Sequence, residues 1–310
     1  MESNEEWRLH LHRETHKNRI IMNKRNLLLL LLLMIVIGTK AQINIIDLNA
    51  VFQSDSIDQA RLVVQYEMKY VKDTTDEKQF LDPLKETLML EIGQKVSKCY
   101  SYTFYLRDSV LTADYKAGAS QETITQHAQA YGSGNISYQI FKNHPKGKVT
   151  TTDRLGITNI LCEEDNERPE WQLHSDTMTV LSYPCQKATC RFKGRDYTAW
   201  YTMDIPVSDG PWKLHGLPGL ILKIEDSRGH FSFTCTGLEQ SRDAKPILIH
   251  TKGRELLSRK ELDKMYERYY TDPMGFLSST APNVKINITD GQGNPIKKLS
   301  YPYNPIEINK

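Results

Sequence analysis

Through most of this chain, apolar residues recur at every second position in short runs bounded by turn residues. The clearest case is CQKATCRFKGRDYTAWYTMDIP, residues 185–206, where Ala188, Cys190 and Phe192 alternate with Thr189 and Arg191. Lys193-Gly194-Arg195-Asp196 then supplies a turn, and Tyr197 to Met203 return. A period of two belongs to a strand with one buried face, and a helix, with its period of 3.6, cannot accommodate it. This rhythm limits the chain to folds built from hairpins.

The same pattern marks Ala60–Val71 and the stretch ETLMLEIGQKVSKCYSYTFYL, residues 86–106. In the latter, Leu88, Leu90 and Ile92 alternate with other side chains, and Gly93-Gln94 divides the stretch into two strands. Tyr100, Tyr102, Phe104 and Leu106 are expected to share one face of the second strand. Residues 135–142 (NISYQIFK) and 148–165 (KVTTTDRLGITNILCEED) continue the series around a His144-Pro145-Lys146-Gly147 turn. EWQL (170–173) and TMTVLSY (177–183) follow. LILKIED (220–226) and HFSFTCTGLEQ (230–240) form a further hairpin through Ser227-Arg228-Gly229, with Phe231, Phe233 and Cys235 facing inward.

Helix signals are scarce. Residues 119–132 carry Ser120 as an N-cap and Gly132 as a stop, and residues 258–270 open on a Ser258/Glu261 capping box with a Leu262, Met265, Tyr269 stripe. Many short strands and few helices predict a mainly β fold: a curved antiparallel sheet, or a partial β-barrel of hairpins, with one or two short helices. The last twenty or so residues, from Asp290, are turn-rich and are expected to lie against the sheet as an irregular tail.

The N-terminus reads as an export signal. Lys24 and Arg25 precede the apolar run Leu27–Ile37, and small and polar residues follow up to Gln42. The run is too short for a membrane-spanning helix, which needs about 20 residues. Cleavage after Ala41 fits best, and Met22 is the more natural start, since MNKRNLLLL opens a signal of ordinary length. An uncleaved anchor is the alternative. This divides the chain into residues 1–41, an extension plus signal peptide, and residues 42–310, one β-rich domain with its irregular tail. A soluble protein of the periplasm or cell surface is the expectation.

Loss of residues 1–41 takes the formal charge from +2 to slightly negative, with basic and acidic residues nearly balanced and interspersed. Such a chain offers no footprint for nucleic acid. All five cysteines lie beyond the signal: Cys99, Cys162, Cys185, Cys190 and Cys235. An odd number leaves at least one unpaired within the chain. A Cys185–Cys190 disulfide is suggested by proximity in sequence, while strand alternation argues against it by aiming the two side chains apart.

The most distinctive string is KLHGLPGLIL, residues 213–222. It lacks both the Lys-Ser/Thr of a Walker loop and the G-x-G-x-x-G of a dinucleotide loop, and a strand rather than a helix follows. Leu217-Pro218-Gly219-Leu220 fits a type II turn with Gly219 at positive φ, launching Leu220, Leu222 and Ile224 into the core. Gly216 completes this structural motif. Trp212 and His215 at its edge are the candidate ligand contacts. The histidines His127, His144, His174, His215, His230 and His250 occur singly, so no metal spacing is visible, no cofactor motif is present, and no G-x-S-x-G elbow points to a catalytic residue. The Glu163-Glu164-Asp165 run reads as a solvated turn.

The strings AWYTMDIP (199–206), DGPWK (209–213) and GLPGLIL (216–222), with the YPCQKATCRFKGR hairpin before them, resemble the GLPGLI family of exported Bacteroidetes proteins, which has no established function. The resemblance runs from Ala60 to HFSFTCTGLEQ and implies an exported β-rich protein without assigned catalytic residues. Cys190 departs from the family pattern, so the resemblance does not imply a Cys185–Cys190 bridge. Two functional classes remain. One is a non-enzymatic envelope binding or accessory protein holding a hydrophobic ligand or envelope protein on a concave face. The other is an envelope hydrolase acting on glycans or peptides through carboxylates or Cys185, with His215 and Asp209 as candidate contributors.

Overall fold

The computed structural model describes residues 54–131, 136–156, 158–280 and 300–308. The segment expected to be an export signal, the expected cleavage point after Ala41, and Gly132 lie outside the described residues. Among the described residues twelve strands form one sheet: β1 (Asp55–Tyr70), β2 (Leu84–Ile92), β3 (Ser97–Ser101), β4 (Gln139–Lys142), β5 (Lys148–Leu155), β6 (Thr158–Asp165), β7 (Gln172–Val180), β8 (Tyr183–Phe192), β9 (Arg195–Thr202), β10 (Leu220–Asp226), β11 (Phe231–Ile249) and β12 (Glu255–Leu257). Their order is β12-β6-β5-β4-β3-β2-β1-β11-β10-β9-β8-β7. Two meanders, β1–β6 and β7–β11, therefore meet where β1 pairs with β11.

The fold is mainly β, as the alternation predicts, and the sheet is not closed into a barrel. It is mixed rather than purely antiparallel, because β12 pairs with β6 in parallel. Five helices, rather than one or two, occur among the described residues: α1 (Glu77–Leu81), α2 (Tyr102–Lys116), α3 (Gln121–Ala130), α4 (Arg259–Thr271) and α5 (Pro273–Thr280). Helix α2 replaces the strand expected through Tyr102, Phe104 and Leu106. Ser101 ends β3 and caps the helix, its hydroxyl accepting from the Phe104 amide at 3.0 Å. The caps of the two helices predicted from the sequence, α3 and α4, stand where expected, at Ser120 and at Ser258 with its Glu261 box.

The β8–β9 hairpin turns through Lys193 and Gly194 alone, with φ of 47° and 79°. Two positive φ values match the right-handed twist of the flanking strands. Ala188, Cys190, Phe192, Tyr197, Ala199 and Tyr201 bury their side chains on one face. The sheet curls so far that this turn reaches β6: Lys193 Nζ lies 3.2 Å from Glu164 Oε1.

The β9–β10 connection, residues 203–219, fills the curl as a plug. Trp212, Leu214 and Leu217 are almost completely buried, and the Trp212 amide donates to Cys99 Sγ on β3 at 3.4 Å. Lys142 of β4, 4 % exposed, pairs with Asp209 and donates to the Gly210 carbonyl at 2.5 Å. The GLPGLI string launches β10 as expected, with Leu220, Leu222 and Ile224 buried. Its glycines work differently from a type II turn. Gly216 has φ of +100°, whereas Gly219 is not at positive φ. A Cβ on Gly219 would stand 2.0 Å from the Thr202 carbonyl oxygen, so this glycine is required by backbone approach to the end of β9.

All five cysteines are free and buried. Cys185 and Cys190 lie five positions apart on the single strand β8. An extended strand rises about 3.3 Å per residue, which places their Cα atoms far beyond the ~7 Å limit for a bridge. The disulfide suggested by sequence proximity is not formed. Iodoacetamide is expected to label no cysteine in the native protein and all five after denaturation, with no reductant needed. A mass gain of about 2 Da on reduction, two hydrogen atoms per bridge, would contradict this assignment.

Candidate functional site

Residues 300–308 cross the inner face of the sheet as an extended strap, and a cavity of about 160 Å3 lies beneath it. Its floor comes from β1 (Met68, Tyr70), β4 and β5 (Ile140, Thr151, Asp153) and Phe231 of β11. Trp212 and Lys213 of the plug, helix α4 and the strap itself complete the wall.

The strap is fastened by Arg195, whose side chain is 1 % exposed. Its Nε donates to the Ile306 carbonyl at 2.9 Å, and its Nη2 donates to the Pro305 carbonyl at 2.5 Å and to Asn304 Oδ1 at 2.9 Å. Nη1 donates to Asp226 Oδ2 at 2.7 Å, and the guanidinium lies over the Phe231 ring. Asn304 also donates to the Val71 carbonyl, the Ile308 amide donates to the Lys193 carbonyl, and Tyr303 stacks on Tyr270.

One wall is a chain of alternating charges. Lys213 Nζ, nearly inaccessible, donates to Glu164 Oε2 at 2.7 Å and Glu307 Oε1 at 2.6 Å. Arg259 reaches Glu307 at 3.3 Å and pairs with Asp263 on the next turn of α4. Lys193 adds Glu167 to the Glu164 end at 3.0 Å. Burial alone would raise the Glu164 pKa, but Lys213, Lys193 and Arg259 hold it below the usual carboxylate value. The acidic run 163–165 is thus part of β6, not a solvated turn, and Glu164 is its inward residue.

A second buried carboxylate, Asp153, accepts from Ser137 Oγ at 2.5 Å, from the Arg154 amide at 2.7 Å and from Tyr266. Desolvation outweighs these bonds and raises its pKa. Four residues lining the cavity carry a buried polar atom without a partner: Tyr70 Oη, Thr151 Oγ1, Arg259 Nε and Glu307 Oε2. Such atoms are rare in native proteins, because each leaves its desolvation uncompensated.

Of the two candidate contacts, Trp212 lines the cavity and His215 is not among the lining residues. Trp212 has φ of +53°, an uncommon value for a bulky side chain, and packs edge-on against Phe192 at 6.0 Å. The Pro211–Leu214 turn, closed by a 3.1 Å hydrogen bond, imposes that conformation. The His215 ring Nδ1 lies 3.0 Å from the Lys213 carbonyl, so this nitrogen carries the proton. Burial and the neighbouring Lys142 lower its pKa, which favours the neutral ring. Cys185 lies outside the cavity lining, and burial raises its thiol pKa. Among the described residues no group of three or more His, Cys, Asp or Glu is placed to hold a metal.

A family model described as a protein of unknown function (Porph_ging) matches residues 191–223, which span the β8–β9 turn, the plug and the start of β10. No curated protein matches the chain. Solved structures of PNGF-II in the P21 and C2 space groups are similar with TM-scores of 0.47 and 0.43, at 12 % and 13 % identity. They cover 69 % and 66 % of this chain, which itself spans about a third of theirs.

Proposed function

We propose that this is an exported, non-enzymatic binding protein of the cell envelope that holds a small, largely apolar molecule beneath the strap. The observation that carries this reading is the set of unpartnered polar atoms on four residues around one largely apolar cavity. A bound molecule that supplied hydrogen bonds to Tyr70 and Thr151 would remove their desolvation cost. The aromatic and aliphatic lining, from Met68, Ile140, Trp212 and Phe231, suits an apolar body. The groups that a hydrolase would draw on are otherwise engaged: Asp209 is paired with Lys142, and Cys185 is a buried thiol with a raised pKa.

Native mass spectrometry of freshly purified full-length protein should reveal a small-molecule adduct released on denaturation. In ligand-free protein, Tyr70→Phe with Thr151→Val should raise stability by about 1 kcal/mol, because two unsatisfied hydroxyls are removed. The same pair should retain less adduct. An adduct-free wild type together with an unchanged double variant would refute the reading.

A further inference from the structure

Three cations line the cavity, and two of them are neutralised on the spot. Lys213 lies between Glu164 and Glu307, and Arg259 between Glu307 and Asp263. Lys72 is the exception: among the described residues it makes no ion pair. Half-buried just beyond the end of β1, it lies over the faces of Tyr270 and Tyr301, with Nζ 5.7 and 5.8 Å from the ring centroids. Burial lowers its pKa with no carboxylate acting in the opposite direction. An ammonium partly stripped of water and facing only π-systems gains from an anion placed beside it.

Resting on the binding reading above, we infer that the ligand is a small monocarboxylate, its anionic end on Lys72 and its apolar body against Met68, Ile140, Trp212 and Phe231. The charge count limits the anion to a single negative charge. A phosphate at neutral pH carries about −1.5 to −2 and takes several donors, whereas only one cation here is unneutralised. Asp153 and Glu307 on the same walls would repel a second charge. The Tyr70 and Thr151 hydroxyls and Arg259 Nε are buried polar groups left for any oxygen on the body of the ligand.

The test compares acids with their neutral amides: hexanoate against hexanamide, and benzoate against benzamide, titrated calorimetrically into wild type and Lys72→Met, with inorganic phosphate as a further probe. Unfolding by circular dichroism checks that the variant is folded. Wild type should favour each acid over its amide by about tenfold, the scale of one charge-assisted hydrogen bond. Lys72→Met should lose that preference while keeping its affinity for the amides. Equal binding of acid and amide by wild type would overturn the carboxylate assignment and leave the binding reading intact. A preference that survives in Lys72→Met would remove Lys72 from the site, and tighter binding of phosphate would overturn the single charge. Failure of every probe, with no adduct on the purified protein, would overturn both readings.

Discussion

Replacing Arg195 by Ala should cost about 3–5 kcal/mol, a large share of the roughly 5–15 kcal/mol by which folded domains are stable. The guanidinium satisfies three acceptors on the strap and the Asp226 carboxylate at once, from a position 1 % exposed. Its loss leaves Asp226 charged, buried and short of its counter-ion, and orphans the Pro305 and Ile306 carbonyls. Asp226 keeps its bonds from the His230 and Phe231 amides at 2.7 and 2.9 Å, so the carboxylate retains some compensation. Arg195→Lys should recover little, since one ammonium cannot reproduce the fork that serves the strap and Asp226 together. Urea unfolding measures this, and a loss below about 1 kcal/mol for the Ala variant would show that the clamp is not needed.

Gly219→Ala is the second change expected to be severe. The new methyl carbon would stand 2.0 Å from the Thr202 carbonyl oxygen and 2.7 Å from the Thr202 carbonyl carbon, both backbone atoms that cannot rotate away. Either β10 or the end of β9 must shift, at a cost of about 3 kcal/mol or more. Gly229→Ala makes the contrast. Gly229 has φ of +67° and no heavy atom within 4 Å of its would-be Cβ, so only the left-handed penalty of about 1–2 kcal/mol applies. Thermal melts of the two variants separate steric approach from conformational strain. Equal losses would contradict the close-approach account of Gly219.

The strands were legible because burial on one face writes itself into the sequence as alternation, followed most closely by Ala188–Phe192, Tyr197–Tyr201 and Phe231–Cys235. Helix α2 was not, since it buries no residue completely and therefore leaves no stripe at helical spacing. Its Tyr102, Phe104 and Leu106 imitate a strand over that short window. The glycines of the GLPGLI string were recognised as structural, yet the reason Gly219 is glycine lies in a strand some seventeen residues earlier, where local turn rules do not reach. The candidate site was almost invisible. Glu164, Lys193, Lys213, Arg259 and Glu307 sit on separate elements, and each reads alone as an ordinary surface charge. Only the curl of the sheet and the passage of the strap bring them together. Trp212 was singled out as an aromatic beside a loop, which was the one local hint of the cavity.

The β1–β11 pairing sets the order in which the molecule can be assembled. Asp55 lies opposite Ile249, so β1 has to wait for a strand made nearly two hundred residues later. Until then each meander ends in an open edge, β1 on one side and β11 on the other. The strap comes later still, as Asn304 reaches back to Val71. Contacts this distant in sequence slow folding, because loop closure must precede any gain from them. A nascent chain can therefore form hairpins but neither its complete sheet before β11 is made nor its strapped cavity and Arg195 clamp before residues 300–308 are made.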